Sequence, residues 1–299
     1  MLAHTQRWGL LFFALAVGGW LAWAWPRAPG LALAGAALAL CSHALVLALQ
    51  CALMWRQNRA DPAPHAPLRT VLAAWWAECR IAPQVYAWRQ PFRSQAVPDL
   101  LVGGAGAPRR GVVLVHGFIC NRGFWNPWLR ALRARGQVCV AVNLEPPFTA
   151  IDDYVAVVDA AVRRVTDATG LPPVLLCHSM GGLVARAWLR AAGDDARVHR
   201  VMTLGTPHQG TWIARFSHMP NGVQMRRQSP WLRELQAHES PGRKARFVCW
   251  YSNCDNIVFP TSTAMLPGAD NRFAPGLAHV QMAFDQRVMR ACLELLALD

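Results

Sequence analysis

The run Pro173-Val174-Leu175-Leu176-Cys177 leads directly into His178-Ser179-Met180-Gly181-Gly182, and that pentapeptide leads directly into Leu183-Val184-Ala185-Arg186-Ala187-Trp188. The first run has the length and apolarity of a buried strand, and the last reads as a helix. A chain that passes from strand to helix this quickly must turn sharply. The departing strand then crowds the arriving helix, so small residues are needed two places before and two places after the centre of the turn. Gly181 fills the second place and Cys177, also small, the first. Ser179, at the centre, is lifted clear of both elements, where a weak hydroxyl can be activated as a nucleophile. Taken alone, the same residues also describe a strand-to-helix turn that happens to contain serine.

A second apolar run, Gly111-Val112-Val113-Leu114-Val115, ends in His116-Gly117-Phe118. A buried strand that delivers a glycine loop to the same sheet edge supplies backbone N–H groups for an oxyanion, assigned to Phe118 and Met180. His116, at a strand end and ahead of the serine, reads as a loop anchor. Further strand-like runs at residues 138–142, 174–177, 201–204 and 247–251 alternate with helical stretches. That alternation predicts an α/β fold with a mainly parallel sheet covered on both faces.

With these segments in place the chain resembles the α/β-hydrolase superfamily, in its bacterial lipase and esterase branch. The resemblance rests on the His116-Gly117-Phe118 loop, the elbow around Ser179, Leu204-Gly205-Thr206-Pro207-His208-Gln209-Gly210-Thr211, the segment from Tyr251 to Val258, and Gly276-Leu277-Ala278-His279. It implies a chain order of nucleophile, acid and histidine, met by Ser179, Asp255 and His279. Asp255 follows a β-prone run closely, whereas Asp270 in Pro267-Gly268-Ala269-Asp270 is the rival acid; His208 is placed near the rim of the site. The implied activity is hydrolysis of a hydrophobic, lipid-like carboxylic ester through an acyl-enzyme. Acyl transfer or thioester hydrolysis would use the same triad, and a non-catalytic binding protein of this fold is the alternative class. Some lipases of the branch hold calcium near the histidine loop. Here His279 is followed by Val280-Gln281-Met282, and Asp285 falls within a closing helix expected at 282–296, so no metal or other cofactor is expected. Residues 208–235, too long for an ordinary connection, are expected to form either a mobile cap over the serine or an ordinary surface helical excursion.

Residues 8–25 and 31–55 carry no charged side chain and are separated only by a short Pro-Arg-Ala-Pro-Gly segment. Each is long enough, at roughly 20 apolar residues, to span a bilayer. Trp8, Trp20, Trp23, Trp25 and Trp55 gather near their ends, as interfacial aromatics do. Residues 1–56 therefore read as a transmembrane hairpin, residues 57–68, with three prolines, as a linker, and residues 69–299 as the hydrolase domain, opening on a helix at 69–80. A cleaved signal peptide is the competing reading of the first stretch, but the second would remain as an anchor. Arg7, Arg56 and Arg59 at the two ends outweigh the single Arg27 in the loop, which favours an inner-membrane protein with a cytoplasmic catalytic domain. The nine cysteines show no disulfide spacing, and Cys249 with Cys254 lacks the second pair that zinc needs. The net charge of +13 is scattered arginine, with Lys244 the only lysine and no recognition motif. It suits contact with membrane lipids and gives no reason to expect a nucleic-acid partner.

Overall fold

The computed structural model describes residues 1–104 and 109–298. The two charge-poor stretches form α1 (Leu2–Ala24) and α2 (Pro29–Gln57), which pack as a hairpin. The Trp20 indole closes its tip, donating to the Ala32 carbonyl at 3.0 Å and lying against Gly35, where a side chain would have no room. Both helices are long and apolar enough to cross a membrane, and only 6% and 11% of their most apolar stretches are buried. They are therefore not core helices.

A helical rod follows, made of α3 (Leu68–Pro83), a π-helical turn (Gln84–Arg89) and α4 (Gln90–Arg93). Pro83 sits at the junction, where its missing N–H breaks the regular ladder and the wider turn accommodates it.

The sheet comprises β1 (Val112–Val115), β2 (Cys139–Ala141), β3 (Val174–His178), β4 (Arg200–Leu204), β5 (Phe247–Tyr251) and β6 (Asp270–Phe273) in the order β2-β1-β3-β4-β5-β6, every pairing parallel. Alternate side chains of each strand enter opposite cores, as the two-residue period requires. Val113, Val115, Leu175, Cys177 and Val201 pack with α6 (Val155–Thr169) and α7 (Met180–Ala192). Val112, Leu114, Val174, Leu176 and Met202 pack on the other side with α5 (Asn126–Arg133) and α12 (Gln286–Leu298). The chain leaves β1 toward β2 and returns past it to β3, so the loops after β1 and β3 diverge and open a crevice at the carboxyl ends of the strands.

Three features go beyond the sequence reading. The strand β6 was not expected, because its Asp-Asn-Arg-Phe sequence lacks an apolar pattern; it is an edge strand and buries little. The proline-containing segment at 57–68 is docked rather than free: Asn58 and Ala66 are buried, and Asp61 accepts from the Ser262 N–H and hydroxyl. The excursion at 208–235 is folded into short helices packed on the domain. It contains a 3-10 turn (Trp212–Phe216), α8 (Pro220–Gln224) and α9 (Pro230–Ala237), followed by α10 (Pro241–Lys244). Ala214, Met225 and Leu232 belong to the main core and Leu235 is buried, while Phe216, Met219 and Val223 are its exposed large hydrophobic side chains.

Candidate functional site

Ser179 caps the N-terminus of α7 with φ 54° and ψ −128°, a backbone conformation that non-glycine residues rarely adopt. Packing on every side holds that strain. The Ser179 N–H donates to the Leu204 carbonyl at 2.9 Å, and Thr206 Oγ1 donates to the Ser179 carbonyl at 2.8 Å. A side chain at Gly181 would run into the Val115 and His116 carbonyls, which is why the elbow requires glycine there. Cys177, the small residue on the strand side, is fully buried in the core, and its burial pushes the thiol far toward the protonated form.

The loop after β1 lies against the serine: a Cβ built on Gly117 would stand 2.7 Å from the Ser179 Cβ. His116 holds that loop, donating from Nδ1 to the Gly117 carbonyl at 2.9 Å and accepting at Nε2 from the Leu144 N–H at 3.1 Å. Burial lowers its pKa to about 4, so it is a neutral anchor. Among the described residues neither the Phe118 nor the Met180 N–H has a hydrogen-bond acceptor. The Met180 N–H also opens the first turn of a 13-residue helix, where the dipole favours negative charge.

Asp255 and His279 meet as a buried pair, with His279 Nδ1 3.0 Å from both carboxylate oxygens. The carboxylate is further held by the Ile257 and Val258 N–H groups, at 3.0 and 2.7 Å. Gly205, with φ 58°, lets the loop after β4 pass beneath the pair; a Cβ there would stand 2.8 Å from Asp255 Oδ2 and 3.2 Å from His279 Nδ1. Since Gly205 directly follows the residue that bonds the Ser179 N–H, pair and serine share one corner of the sheet edge. Among the described residues the hydrogen-bonded contact is that of Asp255 with His279, and none joins Ser179 Oγ to the ring. Asp270 begins β6 at the opposite edge of the sheet, half exposed and paired with Arg272.

Three further residues hold the site without having announced themselves in the sequence. Glu78, on α3, is buried and accepts from the Val280 and Gln281 N–H groups, both at 2.9 Å, at the start of α11 (His279–Met282). Burial raises its pKa, against the lowering effect of those two bonds. The His178 ring stacks on Phe124, packs 4.6 Å from the His279 ring and donates from Nε2 to the His279 carbonyl at 3.2 Å. Asn256 accepts from the His279 N–H at 3.1 Å. The only available signals were adjacency to a candidate in two cases, and none for Glu78, whose partner lies about two hundred residues away.

His208 does not reach the rim. It is fully buried, its Nε2 3.0 Å from Thr203 Oγ1 and its carbonyl accepting from Arg186. Asp285 lies just before α12 rather than inside it, accepting from the Arg287 and Val288 N–H groups as a cap. Among the described residues no group of three or more His, Cys, Asp or Glu side chains stands close enough to hold a metal ion.

Comparison with known proteins follows this geometry. The chain is similar in structure to the mature Bacillus licheniformis lipase BlEst2 (TM-score 0.58, 19% identity, covering 65% of this chain and 95% of that one). It is likewise similar to the propeptide form of that lipase (TM-score 0.56, 18% identity, covering 65% of this chain and 52% of that one). At these identities the likeness is one of fold. No curated protein matches the chain. The model of one family, described as the alpha/beta hydrolase family, matches residues 112–295, more than half of the 299 residues, and the chain therefore belongs to the alpha/beta hydrolase family.

Proposed function

We propose that the protein is a membrane-anchored serine hydrolase that cleaves lipid-like carboxylic esters through Ser179, Asp255 and His279. The observation that carries this reading is the buried Asp255 and His279 pair beside a serine held at φ 54° on a strand-to-helix elbow. Both features are costly to fold. A strained serine costs on the order of 1–3 kcal/mol, and such strain persists where the surroundings over-determine it for a purpose.

In the mechanism, His279 Nε2 takes the proton of Ser179 Oγ as the oxygen attacks the ester carbonyl, and Asp255 fixes the imidazole tautomer and stabilises the imidazolium. The carbonyl oxygen becomes an oxyanion that the Phe118 and Met180 N–H groups receive. His279 then returns the proton to the leaving alcohol. Water, activated by the same histidine, releases the acid from the acyl-enzyme and restores the serine.

Replacing Ser179 by alanine tests the assignment. Ester turnover by the full chain in detergent or vesicles should fall by several orders of magnitude, by analogy with triad deletions. Turnover equal to that of the unaltered protein would mean that the serine is not the nucleophile.

A further inference from the structure

We propose that this site, on the hydrolase reading given above, takes ester lipids directly from the bilayer in which its own hairpin sits, across an interfacial surface formed by α3, α4 and the foot of the hairpin. Four observations converge on this.

The first is where the hairpin is attached. Its N-terminal end is fixed by the Met1 amino group on Glu145, at 3.0 Å, and by Arg7 Nε on the Pro91 carbonyl. Glu145 follows β2, and Pro91 follows Gln90, whose carbonyl accepts from Asn121 in the loop after β1. Its C-terminal end is fixed by Gln50, which accepts from Asn256 at 2.7 Å, and by Asn58, which donates to the Asn253 carbonyl and accepts from the Thr261 N–H. These partners follow β5. Both ends thus stand on the carboxyl edge of the sheet, the edge that carries Ser179 and His279.

The second is the length of α2. Its 29 residues rise about 43 Å, against a hydrocarbon core of about 30 Å. The surplus is about nine residues, and the chain shows which end holds it: Cys51 and Met54 are buried in a cluster that includes Cys254 and Phe259. The helix therefore leaves the hydrocarbon near Gln50, one contact away from the residue that follows Asp255.

The third is α3. Trp75 donates from its indole to the Ala44 carbonyl of α2, six residues before Gln50, so α3 packs against that helix on the bilayer side of the boundary. Its inner face buries Val71, Ala74 and Glu78, and its outer face exposes Leu68, Leu72 and Trp76, spaced four residues apart on one stripe. Trp88 and Phe92 continue the exposure along the rod toward α1. A stripe of this kind, continuous with two bilayer helices, fits lipid.

The fourth is charge. Arg7, Arg56, Arg59, Arg69, Arg80 and Arg93 are exposed around this foot, where lipid phosphates lie. Between α2 and α3 a purely apolar groove of about 370 Å³, lined by residues including Ala48, Cys51, Leu72 and Trp75, opens at the same level and is shaped for a lipid tail. A substrate kept in the bilayer then reaches the serine without leaving it, and the acyl ester sits at the depth of the headgroups.

The test uses the full chain in vesicles with a phosphatidylglycerol fraction, a hydrophobic diazirine probe dissolved in the bilayer, a long-chain diacylglycerol in the same vesicles and a short-chain nitrophenyl ester in the water. The probe should label residues 68–93, and Leu72→Glu with Trp76→Glu should lower diacylglycerol turnover at least tenfold while leaving short-ester turnover within twofold. Retained rates in Leu72→Met with Trp76→Phe separate the loss of apolar character from a packing defect. No labelling of 68–93, or an equal loss on both substrates, overturns the proposal. Labelling without turnover of either substrate by the unaltered chain overturns the hydrolase reading and the substrate class with it, leaving the lipid-facing surface standing.

Discussion

His279 is pulled in two directions. Burial disfavours the imidazolium, but the Asp255 carboxylate against Nδ1, aided by Glu78, more than offsets it and raises the pKa above the ordinary 6.5. A general base works in its neutral form, so kcat/KM should fall on acidification through a limb that lies above 6.5. Asp255→Asn removes the group that raises the pKa and leaves burial in control. The limb should then drop below 6.5 and turnover should fall by roughly 10⁴, as a misheld tautomer does elsewhere. An unmoved limb in a pH profile of that variant would contradict the pairing. Glu78 acts through His279 without touching the reacting atoms, and is a positioning residue. Glu78→Gln retains an acceptor for the loop but no charge, so the acid limb should move down while fluorophosphonate labelling of Ser179 at alkaline pH persists. A purely structural role would leave the limb where it was.

At the scale of elements, α7 carries the serine and is tied from below. Arg186, fully buried, forms a double contact with Glu239 at 2.6 and 2.8 Å and donates to the His208 carbonyl, binding the excursion after β4 to the helix. Removing one member leaves a buried charge unmatched, so Glu239→Ala should cost about 3–5 kcal/mol of stability, read as a lowered midpoint in denaturant. A change below about 1 kcal/mol would mean that water already reaches the pair. The strands β1 to β5 and the elbow were legible in the sequence because buried parallel strands are short apolar runs and the turn between strand and helix admits few residues. The edge strand β6 was not, since an edge buries little and needs no apolar run. The pairing of Asp255 with His279 was legible through the resemblance, whose order of nucleophile, acid and histidine they follow. Glu78 was not, since a carboxylate on a helix near the hairpin gives no local sign that it serves a loop at residue 280. His208 misled for the complementary reason: a histidine in a loop after a strand looks exposed until the loop folds under.

At the scale of the molecule, the hairpin, the rod from α3 to α4 and the sheet edge would form, on the proposed reading, one working face. Arg7, Arg56 and Arg59 lie on the side where both hairpin ends emerge; on the proposed reading of the hairpin as membrane-spanning, the positive-inside bias leads us to expect that side, with the hydrolase domain, in the cytoplasm. A fluorescent-protein fusion at the C-terminus should therefore be bright and an alkaline phosphatase fusion inactive; the reverse pattern would invert the protein in its membrane. The central claim, that this face carries a serine nucleophile driven by Asp255 and His279, is tested most directly by treating the full-length protein with a fluorophosphonate and mapping the adduct by peptide mass spectrometry. One phosphonyl group is expected, on Ser179, lost in Ser179→Ala and strongly slowed in His279→Ala. An unmodified Ser179 peptide, or an adduct on any other residue, would contradict it.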